Sequence, residues 1–409
     1  MSTSTKASAA VTREYKWPFT RQDPLLPAPD FDEARASGGV TPVRLWNDSQ
    51  AWMATRHEDI RNLLRNPAMS ANSSIPGYPN SSANHEASRG SQRGFIRMDG
   101  AEHLRQRRMV ARALSVPEVA KLRPFVERVV DLLLDRMAEL GADGAPVDFL
   151  TVFAEPLPSI AICEILGLPE SEGPGLLDMV NRWMDLDSPP AVSAAAAAEM
   201  TAYLDDLVQQ RIKNPTDDLV GKLVTEQLEA GNIENSGLLG ILNLLIVGGF
   251  DTTANMLALG TILLLRHPDQ AAMLRADEGL ATSAIEEMLR YLSVAHHVAS
   301  RVATEDVAIR DQVIPAGSGI LAPVPAANHD PEVFTDPHRF DITRDARDHV
   351  AFGFGIHQCL GQNLARLELQ VAFTRLLKRF PNLALAVPEG QIEFRNSMIY
   401  GVKALPITW

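Results

Sequence analysis

The chain has 409 residues and a formal net charge of −13; 45% of its residues are apolar and 22% are charged. These values are typical of a soluble globular protein and exclude a disordered or fibrous one. The acidic balance argues against nucleic-acid binding by the whole surface, so any basic docking face has to be local. Two cysteines, Cys163 and Cys359, are too few for a disulfide framework or a four-thiolate zinc site. We therefore expect free thiols and a cytoplasmic protein without a secretory signal.

The first hundred residues show little helical periodicity. Residues 1–40 are rich in proline and are expected to form an irregular N-terminal segment, followed by a single domain at 41–409. Residues 41–66 alternate between apolar and polar positions and then become helical in pattern, which predicts a small sheet followed by a helix. Residues 67–97 form a long polar loop, and loops of this length in compact domains are usually functional or disordered.

Helical periodicity dominates from residue 101 onward, so the expected fold class is mainly α with a small β-rich part. The predicted helices are Glu102–Leu114, Pro117–Leu140, Phe153–Leu166, Leu176–Leu186, Ala191–Ile212, Asp217–Glu229, Ser236–Arg266, Pro268–Ala276, Ala281–Leu292 and Gly361–Phe380. The predicted late strands are Arg301–Val302, Val307–Ile309, Ile314–Ile320 and Leu383–Val387.

The segment Leu238–Leu265 is long and apolar enough to span a membrane. Its middle nevertheless carries Asn243 and Asp251, and a charge at the midplane of a bilayer is costly and rare. We therefore interpret the segment as a helix that is buried on all sides in the centre of a globular domain.

The glycine-bracketed loop around Cys359 is a candidate for chemistry. The cysteine lies at the start of an apolar helix, where the helix dipole and free N–H groups stabilise a thiolate. Three interpretations remain open on the residues alone. The cysteine could be buried and inert, it could be a nucleophile with His357 as its base, or it could be a thiolate ligand of haem iron.

The middle of the long apolar helix contains a second unusual pattern. Gly248 and Gly249 each cost about 1 kcal/mol relative to alanine inside a helix, which indicates that a bulky flat body lies against that face. Thr252 can donate to the carbonyl of Gly248, a bond that bends helices. With Asp251 beside it, this turn could hold water and move protons, or it could be only a kink.

Two pairs of charged residues share helix faces. Glu287 and Arg290 are spaced i, i+3, and His103 and Arg107 are spaced i, i+4. The second pair can donate to a ligand that carries a carboxylate. Taken alone, each pair is equally compatible with a solvated surface.

Together these motifs resemble those of the cytochromes P450, haem-thiolate monooxygenases, and especially the soluble bacterial class of actinomycetes. Phe352–Gly361 matches the family signature F-G-x-G-x-H-x-C-x-G at every fixed position. Gly248–Thr253 matches the oxygen-activating turn, and Glu287 and Arg290 match the E-x-x-R pair. The resemblance runs from about Val43 to Trp409.

The resemblance implies a helical prism with a small β-rich lobe and haem b, iron protoporphyrin IX, as cofactor. Cys359 would be the axial ligand of the iron, and Asp251 and Thr252 would relay protons during oxygen activation. The residues implied to bind the haem or its propionates are His103, Arg107, Gly248, Arg301, Phe352 and His357. The structural triad of the family would be Glu287, Arg290 and Arg339.

Substrate contacts follow partly from spacing and partly from the resemblance. Leu244, Val247 and Gly248 share a helix face with Thr252. The resemblance adds two pairs, Val294 with Ala295 and Met398 with Ile399. Ordinary core packing is the alternative for each of these residues. An apolar wall predicts an apolar organic substrate of medium or larger size.

The implied reaction inserts one atom of O2 into this substrate, by hydroxylation or epoxidation. Electrons are expected from a ferredoxin and a ferredoxin reductase, because only 50 residues follow Cys359 and no flavin or nicotinamide domain is appended. Arg105, Arg108 and Arg112 form a basic stripe that could dock the ferredoxin or could be a solvated face. We expect a monomer without membrane contact.

Three other functions remain open on the sequence. The chain could be a reductase of nitric oxide that takes electrons from a nicotinamide, an enzyme driven by peroxide, or a haem protein that senses or carries a ligand without turnover. The intact pair of Asp251 and Thr252 argues against the last two.

Overall fold

A computed structural model describes residues 14–80, 82, 86, 94–186, 188–395 and 397–409. Helices dominate these residues, which confirms the predicted mainly α class. In chain order they are α1 (Asp30–Ala36), α2 (His57–Arg65), α3 (Gly100–Ala111), α4 (Val116–Lys121), α5 (Arg123–Leu140), α6 (Pro156–Leu166), α7 (Gly173–Met184), α8 (Pro190–Lys213), α9 (Leu219–Leu223), α10 (Asn235–Arg266), α11 (Pro268–Ala276), α12 (Ala281–Leu292), α13 (Val324–Asn328) and α14 (Gln362–Arg379).

The strands are short and form three small sheets within the described residues. They are β1 (Tyr15–Lys16), β2 (Val40–Arg44), β3 (Gln50–Ala54), β4 (Met69–Ser70), β5 (Val147–Asp148), β6 (Ser300–Ala303), β7 (Val307–Ile309), β8 (Gln312–Ile314), β9 (Gly319–Leu321), β10 (Ala384–Leu385) and β11 (Pro406–Thr408). The six-stranded sheet has the order β1-β2-β3-β9-β6-β4, and the three-stranded sheet has the order β10-β11-β5. Strands β7 and β8 form a two-stranded hairpin. Trp52 of β3 lies opposite Ile320 of β9, so the sheet joins the N-terminal strands to the segment that follows α12.

Helix α10 runs through the centre of the helical part. It packs against α6, α7, α8, α12 and α14, and most of its side chains are buried. By length and composition it is long and apolar enough to cross a membrane, and 67% of its most apolar window is buried inside the protein. This burial agrees with the interpretation as a core helix, because side chains packed against neighbouring helices do not face lipid.

The predicted helix ends agree with the structure where residues close to the end specify it. The predicted helices Pro268–Ala276 and Ala281–Leu292 have the observed bounds of α11 and α12. Proline is favourable at position 268, the first residue of α11, because a backbone N–H at that position would have no acceptor within the helix. Helix α6 ends at Leu166 and is followed by Gly167, which has a φ of 73° and whose N–H donates to the carbonyl of Glu164.

The described part of the N-terminal segment is more regular than expected. Residues 1–13 lie outside the described residues, but α1 is helical and β1 pairs in parallel with β2. Trp17 and Phe31 are buried in a small core against β2 and β3. This apolar contact holds the segment against the sheet despite its prolines.

Three further elements differ from the sequence prediction. Pro117–Leu140 is divided into α4 and α5, and Pro124 occupies the first turn of α5. Asp217–Glu229 is the short helix α9 followed by a π-helical segment, Val224–Leu228. Ile314–Ile320 is not one strand, since a turn with Gly317 at a φ of 80° separates β8 from β9.

Candidate active site

Cys359 lies in a tight loop before α14. Its backbone N–H donates to the carbonyl of Phe352 at 2.8 Å. Gly353 and Gly355 have φ values of 70° and 74°, which residues with a side chain rarely adopt. A Cβ on Gly355 would also lie 2.9 Å from the carbonyl oxygen of Leu64 in α2. Glycine is therefore needed for the loop to pass over α2.

The thiol of Cys359 has accessible surface although protein atoms surround it densely. Its accessible side therefore faces a space within the fold. Burial raises its pKa, while hydrogen bonds from the N–H groups of Gly361 and Gln362 and the charge of Arg107 lower it. Cys163, in contrast, is fully buried, and burial raises its pKa to about 11. Of the two thiols, that of Cys359 has the donors that stabilise a thiolate.

Four predicted donors, His103, Arg107, Arg301 and His357, lie near this loop. The ring centroids of His103 and His357 are 4.2 Å apart. Arg107 Nη2 donates to the carbonyl of Gln358 at 2.6 Å. Burial and the positive charges of His357, Arg107 and Arg301 lower the pKa of His103 to about 4, so this ring is neutral at pH 7. Cationic and neutral donors are thus brought together from α3, β6 and the cysteine loop.

Arg97 and Asp99 belong to the same group and were not singled out from the sequence. Arg97 donates to the hydroxyl of Tyr78, and burial together with the charge of Arg97 lowers the pKa of Arg301. One carboxylate oxygen of Asp99 lies 3.9 Å from His357 Nε2. Burial opposes ionisation of Asp99, but its hydrogen bonds lower its pKa to about 2. Both residues end the polar loop before α3, where no periodic pattern marks them.

The exposed turn of α10 is at Gly248. A Cβ built on Gly248 would have no atom of the described residues within 4 Å, whereas a Cβ on Gly249 would lie 2.5 Å from Ile162 of α6. The expectation that both glycines face a bulky flat body is therefore corrected: only Gly248 faces open space. Thr252 Oγ1 donates to the carbonyl of Gly248 at 2.8 Å, as predicted.

Asp251 is buried behind Thr252 and is held by a residue that the sequence did not indicate. Its Oδ1 accepts from Arg395 Nη1 at 2.7 Å and from Asn255 Nδ2 at 2.7 Å. Its Oδ2 is buried without a hydrogen-bond partner among the described residues. Burial raises the pKa of Asp251, while Arg395 and Asn255 oppose that shift. The carboxyl is therefore able to hold a proton at Oδ2.

The structural triad has a different third member from the one expected. Glu287 and Arg290 form a fully buried ion pair with two hydrogen bonds of 2.7 and 2.8 Å. The second arginine that contacts Glu287 is Arg344, whose Nε lies 3.2 Å from Glu287 Oε1. The side chain of Arg339 is 70% exposed and lies 3.7 Å from Asp341. The expectation for Arg339 is corrected, because only its carbonyl turns inward, where it accepts from Arg290 and Arg344.

The two late segments expected to contact substrate lie side by side. The N–H of Tyr400 donates to the carbonyl of Val294 at 2.8 Å, and His296 Nε2 lies 3.0 Å from the carbonyl of Ser397. Val294, Met398 and Ile399 are more than 90% buried, so each also packs in the core.

The remaining candidates for substrate contact are less enclosed. Ala295, Leu244 and Val247 are partly buried at the edge of the core. Leu244 lies beside Gly94, since a Cβ on that glycine would be 3.0 Å from it. These side chains are partly buried apolar groups, and whether they contact substrate stays a prediction.

Known proteins share both sequence and overall structure with this chain. A family model described as "Cytochrome P450" matches residues 279–398. Cytochrome P450-SU2 of Streptomyces griseolus is 44% identical over 387 residues, which are 94% of each chain. The chain belongs to the cytochrome P450 family.

Two further similar proteins match this chain over nearly its whole length. Vitamin D3 dihydroxylase of Streptomyces griseolus is 41% identical over the whole length of both chains. The crystal structure of mycinamicin VIII C21 methyl hydroxylase from Micromonospora griseorubida, bound to mycinamicin VIII, is 36% identical. It superposes with a TM-score of 0.91 over 97% of this chain and 100% of that one. The chain is therefore a P450 monooxygenase with the P450 fold.

Cytochromes P450 carry haem, and the residues present fit this group. Both ring nitrogens of His103 and Nδ1 of His357 are buried without a partner in the described part of the chain. Leaving such an atom unpaired costs about 1–3 kcal/mol, so these atoms indicate a ligand. Among the described residues named around this loop, Arg97, Arg107 and Arg301 supply three positive charges and Asp99 supplies one carboxylate. This excess suits the two carboxylates of a haem.

The basic stripe of α3 is only partly available for a partner. Arg105 donates to Glu102 at 2.7 Å and to the carbonyl of Asn232. Arg108 and Arg112 are exposed on the same helix. The net charge of the stripe is therefore smaller than three arginines suggest, and Arg108 and Arg112 dominate it.

Proposed function

We propose that this cytochrome P450 uses haem b, held by Cys359, to insert one atom of O2 into an apolar organic substrate by hydroxylation or epoxidation. The observation that carries the proposal is the arrangement of Asp251 and Thr252 on α10. A hydroxyl beside open space, backed by a carboxyl with one free oxygen, is suited to proton delivery. A haem protein that only carries or senses a ligand does not need it.

When bound, haem supplies the oxygen chemistry, and a thiolate ligand favours O–O cleavage. The side chains of α10 control the protons. The hydroxyl of Thr252 donates to the carbonyl of Gly248 and keeps its oxygen available to a group in the site. Asp251 takes up a proton at Oδ2 and passes it towards that hydroxyl. Arg395 fixes the other carboxylate oxygen and so keeps Oδ2 in place.

The proposed substrate is apolar and of medium or larger size. Leu244, Val247 and Ala295 offer an apolar border, with Met398 and Ile399 in the adjoining turn. Relatives of similar length are named for such compounds, among them the vitamin D3 dihydroxylase and the mycinamicin VIII hydroxylase. We propose a substrate of this class rather than either of those molecules.

The proposed electron donors are a ferredoxin and a ferredoxin reductase in the cytoplasm. The chain as a whole is acidic, whereas Arg108 and Arg112 make one exposed basic patch on α3. This helix also carries Arg107, whose guanidinium contacts the cysteine loop. An acidic ferredoxin at this patch would therefore be near the cysteine side of the haem.

The carbon-monoxide spectrum of the reduced protein tests the cofactor assignment. We expect the absorption band that is specific for thiolate-ligated haem. Cys359→His should abolish the band, whereas Cys163→Ala should retain it, because Cys163 is fully buried away from these donors. Loss of the band in Cys163→Ala would overturn the assignment.

A screen for substrates then tests the reaction. Apolar compounds that bind should change the spin-state spectrum of the haem, and the hits should be turned over with a ferredoxin couple. Product that contains one oxygen atom from O2 supports the proposal. Turnover that requires nitric oxide and a nicotinamide, or that runs only with peroxide, would contradict it.

A further inference from the structure

A second ion cluster lies next to the E-x-x-R pair and has different partners. Glu286 precedes Glu287 on α12, and its side chain is 8% exposed. Its two oxygens accept from Arg366 Nε at 2.6 Å and Arg366 Nη2 at 2.9 Å. His349 Nε2 lies 3.0 Å from Glu286 Oε2. We refer to Glu286, His349 and Arg366 as the Glu286 cluster.

The histidine connects the cluster to the chain ahead of the cysteine. The N–H of Ala351 donates to His349 Nδ1 at 3.1 Å, so Nδ1 carries no proton. The proton of the neutral ring is therefore on Nε2, which donates to Glu286. Both ring nitrogens are thus partnered. The hydrogen bonds of this ring tie α12 to residues 349–351.

The arginine connects the cluster to both sides of the cysteine loop. The guanidinium of Arg366 lies 4.5 Å from the ring centroid of Phe352, whose carbonyl accepts the N–H of Cys359 at 2.8 Å. Arg366 Nη1 also donates to Gln362 Oε1 at 3.0 Å. The N–H of Gln362 in turn donates to the sulfur of Cys359. The guanidinium of Arg366 thus contacts Phe352, which precedes Cys359, and Gln362, which follows it.

We propose that the Glu286 cluster positions the cysteine loop and that its balance of charges sets the reduction potential of the iron held by Cys359. The inference rests on the proposed haem ligand. The step concerned is the uptake of one electron by ferric iron to give ferrous iron. None of the three side chains touches the thiol itself, so they are positioning residues.

The charges of Arg366 and Glu286 predict the direction in which each variant shifts the reduction potential. Arg366 favours the reduced iron, because a nearby positive charge favours the state with one more electron. Glu286 opposes Arg366 and brings the cluster close to neutral. Removing the arginine should therefore make the iron harder to reduce, and removing the glutamate should make it easier. A purely structural role would move both variants in the same direction.

The test is a spectroelectrochemical titration of the substrate-free haem protein. We expect Arg366→Gln to shift the midpoint potential to lower values and Glu286→Gln to shift it to higher values. Arg366→Lys should lie close to wild type because it keeps the charge. The double variant with both glutamines restores the charge balance and should return towards wild type. Opposite shifts that cancel in the double variant support the proposal.

Matched controls separate the possible failures. Glu278 and Lys378 form an exposed ion pair at the far end of α14, and their replacement by glutamine should leave the potential unchanged. The carbon-monoxide band of thiolate-ligated haem is recorded for every variant. Its absence from wild type would refute the haem ligand itself. Its presence with shifts of equal sign, or without shifts, would overturn the role of the cluster alone.

Discussion

Arg395 Nη1 lies 2.7 Å from Asp251 Oδ1, and this ion pair joins the centre of α10 to a segment 144 residues further along the chain. Only 14% of the arginine side chain and 2% of the aspartate side chain are exposed. The guanidinium lowers the pKa of Asp251 against the effect of burial. The protonation of Asp251 therefore depends on its burial and also on an arginine from a distant segment.

Replacing Arg395 should change the pH dependence of turnover. Arg395→Met removes the charge that opposes protonation, so the pKa of Asp251 should rise and the limb of the pH–rate profile that reports it should move to higher pH. Product formation between about pH 5 and 9 measures this limb. Arg395→Lys is the control and should keep the profile close to wild type. An unshifted profile in Arg395→Met would contradict the coupling.

Replacing Thr252 should separate consumption of reducing equivalents from product. Thr252→Ala loses the hydroxyl that accepts the proton, so electrons should be diverted to hydrogen peroxide at a comparable overall rate, with much less product. Folding should persist, since alanine has the higher helix propensity. Reducing equivalents, peroxide and product are measured with at least two substrates, because a substrate hydroxyl could replace the missing one.

Two further variants test whether the loss of coupling is specific to Thr252. Thr253→Ala changes a buried neighbour that bonds Glu368, so it should reduce stability without uncoupling. Asp251→Asn should slow the whole cycle and affect the ratio of product to electrons less. Wild-type coupling in Thr252→Ala with every substrate would refute the relay.

The two glycines of α10 should respond to alanine with opposite signs. Gly248→Ala places its Cβ in open space and should raise the free energy of unfolding by up to about 1 kcal/mol. Gly249→Ala places its Cβ 2.5 Å from Ile162 and should lower it. Denaturant unfolding measures both. Equal effects would show that the packing around the two positions is not as described.

The corrected triad predicts which arginine matters for stability. Arg290→Met removes one partner of a fully buried ion pair, which should cost about 3–5 kcal/mol. Arg339→Met should change stability by less than about 0.5 kcal/mol, because its side chain is mostly exposed. Arg344→Met should fall between them. Denaturant midpoints rank the three variants, and a larger loss in Arg339→Met than in Arg344→Met would restore the original assignment.

Asp99 should contribute stability that depends on pH. Its folded pKa is about 2, below the ordinary value of 3.8, so it stabilises the fold above about pH 4 and loses this contribution as the pH falls to about 2. Since the side chain is 38% exposed, we expect only about 1 kcal/mol. Asp99→Asn should therefore be less stable than wild type at pH 6, and the difference should shrink at pH 3. A constant difference would contradict the pKa.

The helices and the Gly248–Thr253 turn of α10 could be predicted because the residues that specify them lie close together in the sequence. The bounds of α11 and α12 follow from nearby residues, and the bond from Thr252 to Gly248 spans one turn. Cys359 was identified by the spacing of its own loop.

The missed residues have partners that are distant in sequence. Arg395 meets Asp251 144 residues away, Arg344 meets Glu287 57 residues away, and Arg366 meets Glu286 80 residues away. No spacing rule connects such pairs, because the packing of helices and loops brings them together. Arg339 was chosen for the family pattern around it, whereas in the structure its carbonyl and not its side chain contacts Arg290 and Arg344.

The backbone hydrogen bond between Tyr400 and Val294 has an evolutionary consequence. It joins, through main-chain atoms, the two segments that we propose to contact substrate, and every residue except proline at position 400 can supply that N–H. Met398 and Ile399 can therefore be exchanged for other side chains while the frame that carries them persists. A lineage that inherits this frame can acquire new substrates through point mutations in two short segments, without inventing a new loop.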